Sequence, residues 1–262
     1  MPVMGLVFGL VYVGTDYTSY QGINAGVGMV FITSYFTGVV SFNSALPITS
    51  EDRPAFSRER DAQMYSAFWY FVGSTVVEIP YVFGSMLLYT IIFYWLVGFT
   101  GFGTAVLYWI NTSLMVLLQT YMGQLLIYAL SSIDVAALVG VMVYSITILF
   151  YGFNPPASDI PAGYQWLYTI TPQRYSISVL VSLVFSDCDE LPTYDTGKSL
   201  GCQPLTNPPT TFDHATIKEY VEATFEYKHD EIWRNFGIVL LFIVVLRLMA
   251  LFCLRFINHQ RK

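Results

Sequence analysis

The side chains able to do chemistry are few and far apart. Glu78 is the only acid deep inside a long apolar run. A charge at the bilayer centre costs at least about 2.5–3.5 kcal/mol on insertion scales, so such a residue has a partner or a task. Three roles fit it: a polar relay paired with Arg58 or Arg60, a structural pair holding two helices, or a proton-coupling group. Arg58, Glu59 and Arg60 form a second cluster, in a stretch that also carries Glu51, Asp52 and Asp61. Mixed charges of this kind suit ion pairs at a protein interface; an ordinary juxtamembrane basic loop would not need the acids. Cys188 and Cys202 share a Pro/Gly/Asp/Thr-rich stretch without hydrophobic periodicity. In an oxidising compartment they are expected to pair, closing a loop of about 15 residues worth roughly 3 kcal/mol in the chain-entropy model; the alternative is two unrelated reduced thiols. His214, His229 and His259 are dispersed, so no metal site is expected. The sequence has no G-x-x-x-x-G-K-[ST] phosphate loop, no Ser/His/Asp triad and no nicotinamide fingerprint. No catalytic residue is assigned, and ATP binding or hydrolysis by these residues alone is not expected.

The elements that must carry these residues are membrane helices. Of 262 residues, 55% are hydrophobic and 11% charged, and the mean hydropathy is +0.53. Soluble domains carry about 25% charged residues, so lipid is the solvent this composition suits. A net charge of -6 argues against a nucleic-acid partner. A span needs roughly 20 apolar residues. Five stretches qualify: 25–46, 67–97, 104–130, 133–153 and 234–256. They are continuous rather than alternating, which favours helices over barrel strands. Residues 4–13 form an apolar run too short to span, read as the end of a helix whose beginning is missing. The fold class expected is therefore an all-α polytopic membrane protein, with five complete transmembrane helices plus the end of a truncated first one.

Lys and Arg mark the cytoplasmic side. Arg53, Arg58 and Arg60 in segment 47–66, and Arg255, Arg261 and Lys262 at the C-terminus, fall on one side when four spans separate them. The C-terminus is then cytoplasmic, and the acidic segment 154–233 is a large external loop. Within it, residues 213–227 read as an amphipathic helix capped by Asp213, with Ile217, Val221 and Phe225 on one face. Residues 164–185 are apolar but broken by Pro172 and charged at Arg174, as in helices that enter the membrane and return. Cys253 reads as a packing residue. Asn111-Thr112-Ser113 is a glycosylation sequon expected to be unused inside a span. Arg247 lies close enough to the cytoplasm to snorkel and is assigned no function.

Several short motifs, in order, resemble those of one transporter group. Arg53-Pro54-Ala55-Phe56-Ser57-Arg58-Glu59-Arg60 followed by Met64-Tyr65-Ser66-Ala67 is similar to the F-x-R-E…Y-S-A signature of the G subfamily of ABC transporters, which includes pleiotropic-drug-resistance and white-type exporters. Glu78-Ile79-Pro80-Tyr81 resembles its E-[IL]-P-Y element, Phe150-Tyr151-Gly152-Phe153 its F-x-G-[FL] element, and Trp166 through Thr171-Pro172-Gln173-Arg174-Tyr175 its re-entrant element. The likeness covers nearly the whole chain and is greatest to the second membrane domain of a full-size transporter.

The resemblance implies an ABC-2 type exporter membrane domain (residues 1–262), with 1–13 ending the first of six helices and 47–66 forming a coupling region around Arg58, Glu59 and Arg60. It implies a substrate path along Phe31, Tyr35 and Phe36 on one helix and Tyr144, Ile148 and Tyr151 on another. It also implies a plug at Phe153, followed by Asn154. The expected partners are an ABC ATPase domain, in the same polypeptide or another, carrying ATP and Mg; a second membrane domain; the lipid bilayer, most simply the plasma membrane; and a hydrophobic small-molecule substrate. Two competing readings are a proton-coupled secondary transporter using Glu78, which should show internal inverted repeats, and an inactive truncated membrane scaffold.

Overall fold

The computed structural model describes residues 1–64, 66–188, 200–208 and 215–257. The described part is helical, with three isolated β-bridges. The helices are α1 (Pro2–Val11), α2 (Tyr20–Asp61), α3 (Ala67–Leu96), α4 (Phe102–Ala129), α5 (Ile133–Thr147), α6 (Gln165–Ile170), α7 (Pro172–Phe185), α8 (Ile217–Phe225) and α9 (Ile232–Phe256). Five helices are long and apolar enough to cross a membrane: α2, α3, α4, α5 with its 3₁₀ extension to Phe150, and α9. The protein is an integral membrane protein.

Helix ends follow local chemistry. The Ser19 hydroxyl accepts from the Gly22 amide and starts α2; Ser132 does the same for α5. Pro172 opens α7 at a position where its missing N–H costs nothing, and the same ring prevents α6 from continuing. The amphipathic helix α8 begins at Ile217, capped by Thr216 and Glu219 in a reciprocal capping box. This replaces the expected Asp213 cap, and Asp213 itself lies outside the described residues. Ile217, Tyr220, Val221 and Phe225 are buried in the main core. The apolar face of α8 therefore docks on the domain.

Two boundaries differ from the sequence reading. The first complete span and the segment after it form one helix of 42 residues, continuous through Pro47 and Pro54. At 1.5 Å per residue α2 is about 63 Å long, twice the hydrocarbon thickness of about 30 Å. Beyond Pro47 its apolar anchor is Phe56, buried and 4.4 Å from the Tyr70 ring. The fourth span ends early: α5 stops at Thr147, a 3₁₀ turn covers Ile148–Phe150, and Gly152 turns the chain at φ +88°. Phe153 therefore lies past the helix.

α4 is the hub, packed against α2, α3, α5, α7 and α9. Lipid offers no hydrophobic drive for helix association, so close backbone approach through small residues takes its place. A Cβ at Gly123 would lie 3.0 Å from the Phe42 carbonyl oxygen. Along the facing side of α2, Thr33, Thr37 and Ser41 are buried, and their hydroxyls donate to carbonyls one turn back at 2.8–2.9 Å. Gly123→Ala should therefore push on backbone and cost about 1–3 kcal/mol, lowering the melting temperature of detergent-solubilised protein by several degrees. Gly237→Ala, with nothing within 4 Å of the new Cβ, should leave it unchanged or raise it.

Candidate functional site

The charged centre of the bundle is Arg247 on α9, only 6% exposed. Its Nη1 donates to Gln124 Oε1 of α4 at 2.6 Å. Its Nη2 reaches α3, donating to the Phe71 carbonyl at 3.3 Å, to Ser74 Oγ at 3.4 Å and to the Thr75 hydroxyl. The guanidinium lies over the rings of Phe71 and Tyr121, 4.3 Å from each centroid. Gln124 passes the interaction on: its Nε2 donates to Glu78 Oε1 at 2.7 Å. The partner of Glu78 is thus Gln124, and through it Arg247, rather than Arg58 or Arg60. Snorkelling does not describe Arg247; it is held inside by partners on two other helices. Intramembrane charge was a signal that could have marked Arg247 from sequence, whereas nothing in composition singles out Gln124.

Glu78 also borders a cavity of about 440 Å³ between α2, α3 and α4, with Ser41, Ser44, Thr49 and Thr120 on its polar wall. None of the sequence-expected path residues lines it. Those residues gather along the α2–α5 seam instead. Tyr35 meets Tyr144 edge-on at 6.2 Å and Phe36 at 5.6 Å. Phe31 meets Tyr151 edge-on at 5.7 Å and stacks on Phe153 at 5.0 Å. Tyr144 and Tyr151 are buried; the Tyr144 hydroxyl donates to Gln119 Oε1 at 2.7 Å. Phe31, Tyr35 and Ile148 are half-buried, and Phe36 is exposed.

Phe153 is seated from three sides. Below it, a Cβ at Gly28 would come within 3.0 Å of its ring. Above it, Phe225 of α8 stacks at 5.9 Å. The next aromatic along the chain, Tyr227, donates its hydroxyl to the Tyr151 carbonyl at 2.9 Å. Gly152 fits here both for its positive φ and because a Cβ would lie 3.1 Å from the Tyr168 ring and the Tyr227 hydroxyl. Asn154 is exposed and precedes a cis peptide bond to Pro155. Sequence reasoning placed Phe225 on an apolar face but did not connect it to Phe153, and missed Tyr227. Further ties hold the same end. Tyr220 donates to Asn24 Oδ1 at 3.0 Å, the Thr206 amide donates to the Thr18 carbonyl at 2.9 Å, and the sulfurs of Cys188 and Cys202 are bonded, with Cα atoms 5.1 Å apart.

At the opposite end, Arg60 donates from both terminal nitrogens, to the Leu254 and Arg255 carbonyls at 3.0 Å each. Arg53 donates to the Ile127 and Leu130 carbonyls at 3.0 and 2.8 Å. Arg58 is exposed and Glu59 half-buried. Asn111, in the sequon, is fully buried and its Nδ2 donates to the Ser176 carbonyl and hydroxyl at 2.8 and 2.9 Å. The expected roles of Arg261, Lys262, His214 and His259 fall on residues outside those described.

Two measurements check this geometry. In a double-mutant cycle of Glu78→Gln and Arg247→Gln, read by unfolding in mixed micelles, the coupling energy should be about 0.5–3 kcal/mol; simple additivity would mean the two charges do not communicate. Phe225→Ala with Tyr227→Phe should speed labelling of a Tyr35→Cys probe by a membrane-impermeant thiol reagent, and an unchanged rate would mean the α8 contacts do not hold Phe153 in place.

An ABC-2 type transporter family model matches residues 2–185, and a CDR ABC transporter model matches residues 193–262. ABC transporter G family member 53 of Oryza sativa subsp. japonica is 28% identical over 264 residues, covering 99% of this chain and 17% of that protein. ABC transporter G family member 46 of the same plant is 28% identical over 263 residues with the same coverage. Pleiotropic drug resistance protein 1 of Nicotiana tabacum is 26% identical over 262 residues, again 99% of this chain and 17% of the relative. The chain thus spans about a sixth of the length of these relatives, as 17% coverage states. By the match over residues 2–185 and the membrane-length helices that fill it, the chain belongs to the ABC-2 type transporter family.

Proposed function

We propose that the chain is the membrane-spanning domain of an ATP-driven exporter of hydrophobic or amphipathic small molecules or lipids. The observation that carries this reading is the ABC-2 match over residues 2–185, joined to relatives that are G family and pleiotropic-drug-resistance proteins. These 262 residues contain no phosphate loop. ATP and Mg would therefore bind a nucleotide-binding domain elsewhere in the same polypeptide or on a partner. The segment around Arg58, Glu59 and Arg60 faces that domain in the cytoplasm, and the C-terminus lies on the same side. Substrate moves along α2 and α5, where Phe31, Tyr35, Phe36 and Ile148 offer an apolar aromatic face facing a second membrane domain. Such a face takes up flat or flexible apolar molecules without fixed hydrogen-bond demands. Phe153 closes this path on the outer side, and the membrane is the plasma membrane.

The test is transport itself. With its ATPase partner in inside-out vesicles, the protein should accumulate a fluorescent hydrophobic compound only when ATP is present, and accumulation insensitive to ATP would sink the reading. Glu78→Gln sharpens it. For an ATP-driven exporter the pH profile of transport should be unchanged by this substitution. Transport that persists but loses its pH dependence would favour proton coupling through Glu78 instead.

A further inference from the structure

Two arginines of the cytoplasmic stretch of α2, Arg53 and Arg60, bond to helix ends. The last carbonyls of any α-helix lack intrahelical partners, and cations at a helix C-terminus are favoured by the dipole. Arg53 takes Ile127 and Leu130, the last turn and cap of α4. Arg60 forks across Leu254 and Arg255, the last turn of α9. One helix thus holds the ends of two others. The two helices so held are the ones that carry Gln124 and Arg247. Gln124 is one turn above Ile127, and Arg247 about two turns above Leu254.

We propose that Arg53 and Arg60 are positioning residues through which movement of α2 beyond Pro47 is passed to α4 and α9, and so to the Gln124–Arg247–Glu78 network. This rests on the reading of the chain as an ATP-driven membrane domain and names the residues and helices through which coupling travels. Three features besides the hydrogen bonds support it. Pro47 and Pro54 each remove a backbone hydrogen bond from α2, and prolines are where helices kink. A cavity of about 310 Å³, lined by Ser50, Arg53, Ser57, Arg60, Tyr128 and Ser131, borders both clamps and leaves open space beside α2. Phe56, buried with its ring tilted against Tyr70 at 4.4 Å, lies between Arg53 and Arg60 in sequence and supplies the pivot. At Arg60 the chemistry calls for arginine: its planar fork meets two carbonyls from two nitrogens at once, whereas lysine is a single point donor on a flexible stem.

Two readouts test it, one independent of transport. In the first, spin labels at Ala62→Cys and Ser131→Cys, in a Cys253→Ser background and lipid nanodiscs, report the distance distribution between α2 and the end of α4. Arg53→Gln with Arg60→Gln should widen that distribution. An unchanged width would overturn the clamp. In the second, the protein with its ATPase is assayed for substrate moved per ATP hydrolysed. Arg60→Lys should lower that ratio by at least about fivefold while hydrolysis continues. A purely structural arginine would lower transport and hydrolysis together, leave the ratio unchanged and overturn the proposal. If the wild type neither transports nor responds to ATP, the functional reading fails and the transmission role with it, but the distance measurement still reports on the clamp.

Discussion

A guanidinium inside an apolar bundle imposes a strict geometric demand. Arginine does not give up its proton in proteins, so its charge has to be met by protein groups wherever water is excluded. Arg247 meets that demand only if three helices stand at one height: α3 presenting Phe71, Ser74, Thr75 and Glu78, α4 presenting Tyr121 and Gln124, and α9 presenting the arginine. A slip of one turn on any of them, about 5.4 Å, would leave the cation or the carboxylate without its partner. Apolar packing in lipid tolerates many registers; a buried charge network tolerates few. In this bundle the polar triad sets the register of α3, α4 and α9, and the small-residue contacts of α2 with α4 then fall into place around it.

The two ends of the bundle are closed by different chemistry. On the side of α8, most ties join one irregular segment to another: a disulfide between Cys188 and Cys202, the Thr206–Thr18 backbone bond, and the Tyr227 hydroxyl on the Tyr151 carbonyl, with the Tyr220 hydroxyl joining α8 to Asn24 of α2. They secure irregular backbone that has no ladder of its own. On the opposite side the ties are helix to helix, through Arg53 and Arg60 on terminal carbonyls. Those contacts are long polar side chains on terminal carbonyls, beside a cavity that borders the small apolar cluster of Phe56, Tyr128 and Leu254. The first arrangement resists displacement, and the second permits it while transmitting it.

The spans were legible because length and continuity of apolar residues are enough to identify a membrane helix. The break between α6 and α7 at Pro172 was legible for the same reason that proline is disfavoured inside helices. Where the reading stopped at Pro47, tertiary structure overrode it: the residues from Ile48 to Asp61 stay helical because Phe56 is buried and the two arginines have carbonyls to bind. The start of α8 moved from Asp213 to Thr216 because the reciprocal box with Glu219 satisfies two amides, where a lone aspartate would satisfy one. The partner of Glu78 could not be read at all. Gln124 is 46 residues away and Arg247 is on the last helix, and pairing by proximity in sequence favoured Arg58 and Arg60 instead. Periodicity locates a residue along its helix but carries no information on which neighbour the helix will face.

The aromatic residues along α2 and α5 bear on how such a domain would work. Tyr144 and Tyr151 are buried, and each is engaged: Tyr144 by Gln119 and by the rings of Tyr35 and Phe42, Tyr151 by Phe31 and by the Tyr227 hydroxyl on its carbonyl. Cargo cannot touch them while those contacts stand. If both tyrosines belong to the path, the α2–α5 seam around Tyr144 and Tyr151 has to part for each passage. The contacts there are suited to that. Edge-on aromatic pairs contribute only about 0.5–1.5 kcal/mol each beyond area burial, and a ring leaving one partner can stack on an apolar guest at little net cost. The α4 side of the bundle has no such option, since separating Arg247 from Gln124 would expose a charge to hydrocarbon. The division of labour within the bundle therefore follows from its chemistry: the polar triad holds one set of helices in register, and the aromatic seam is where the structure can yield.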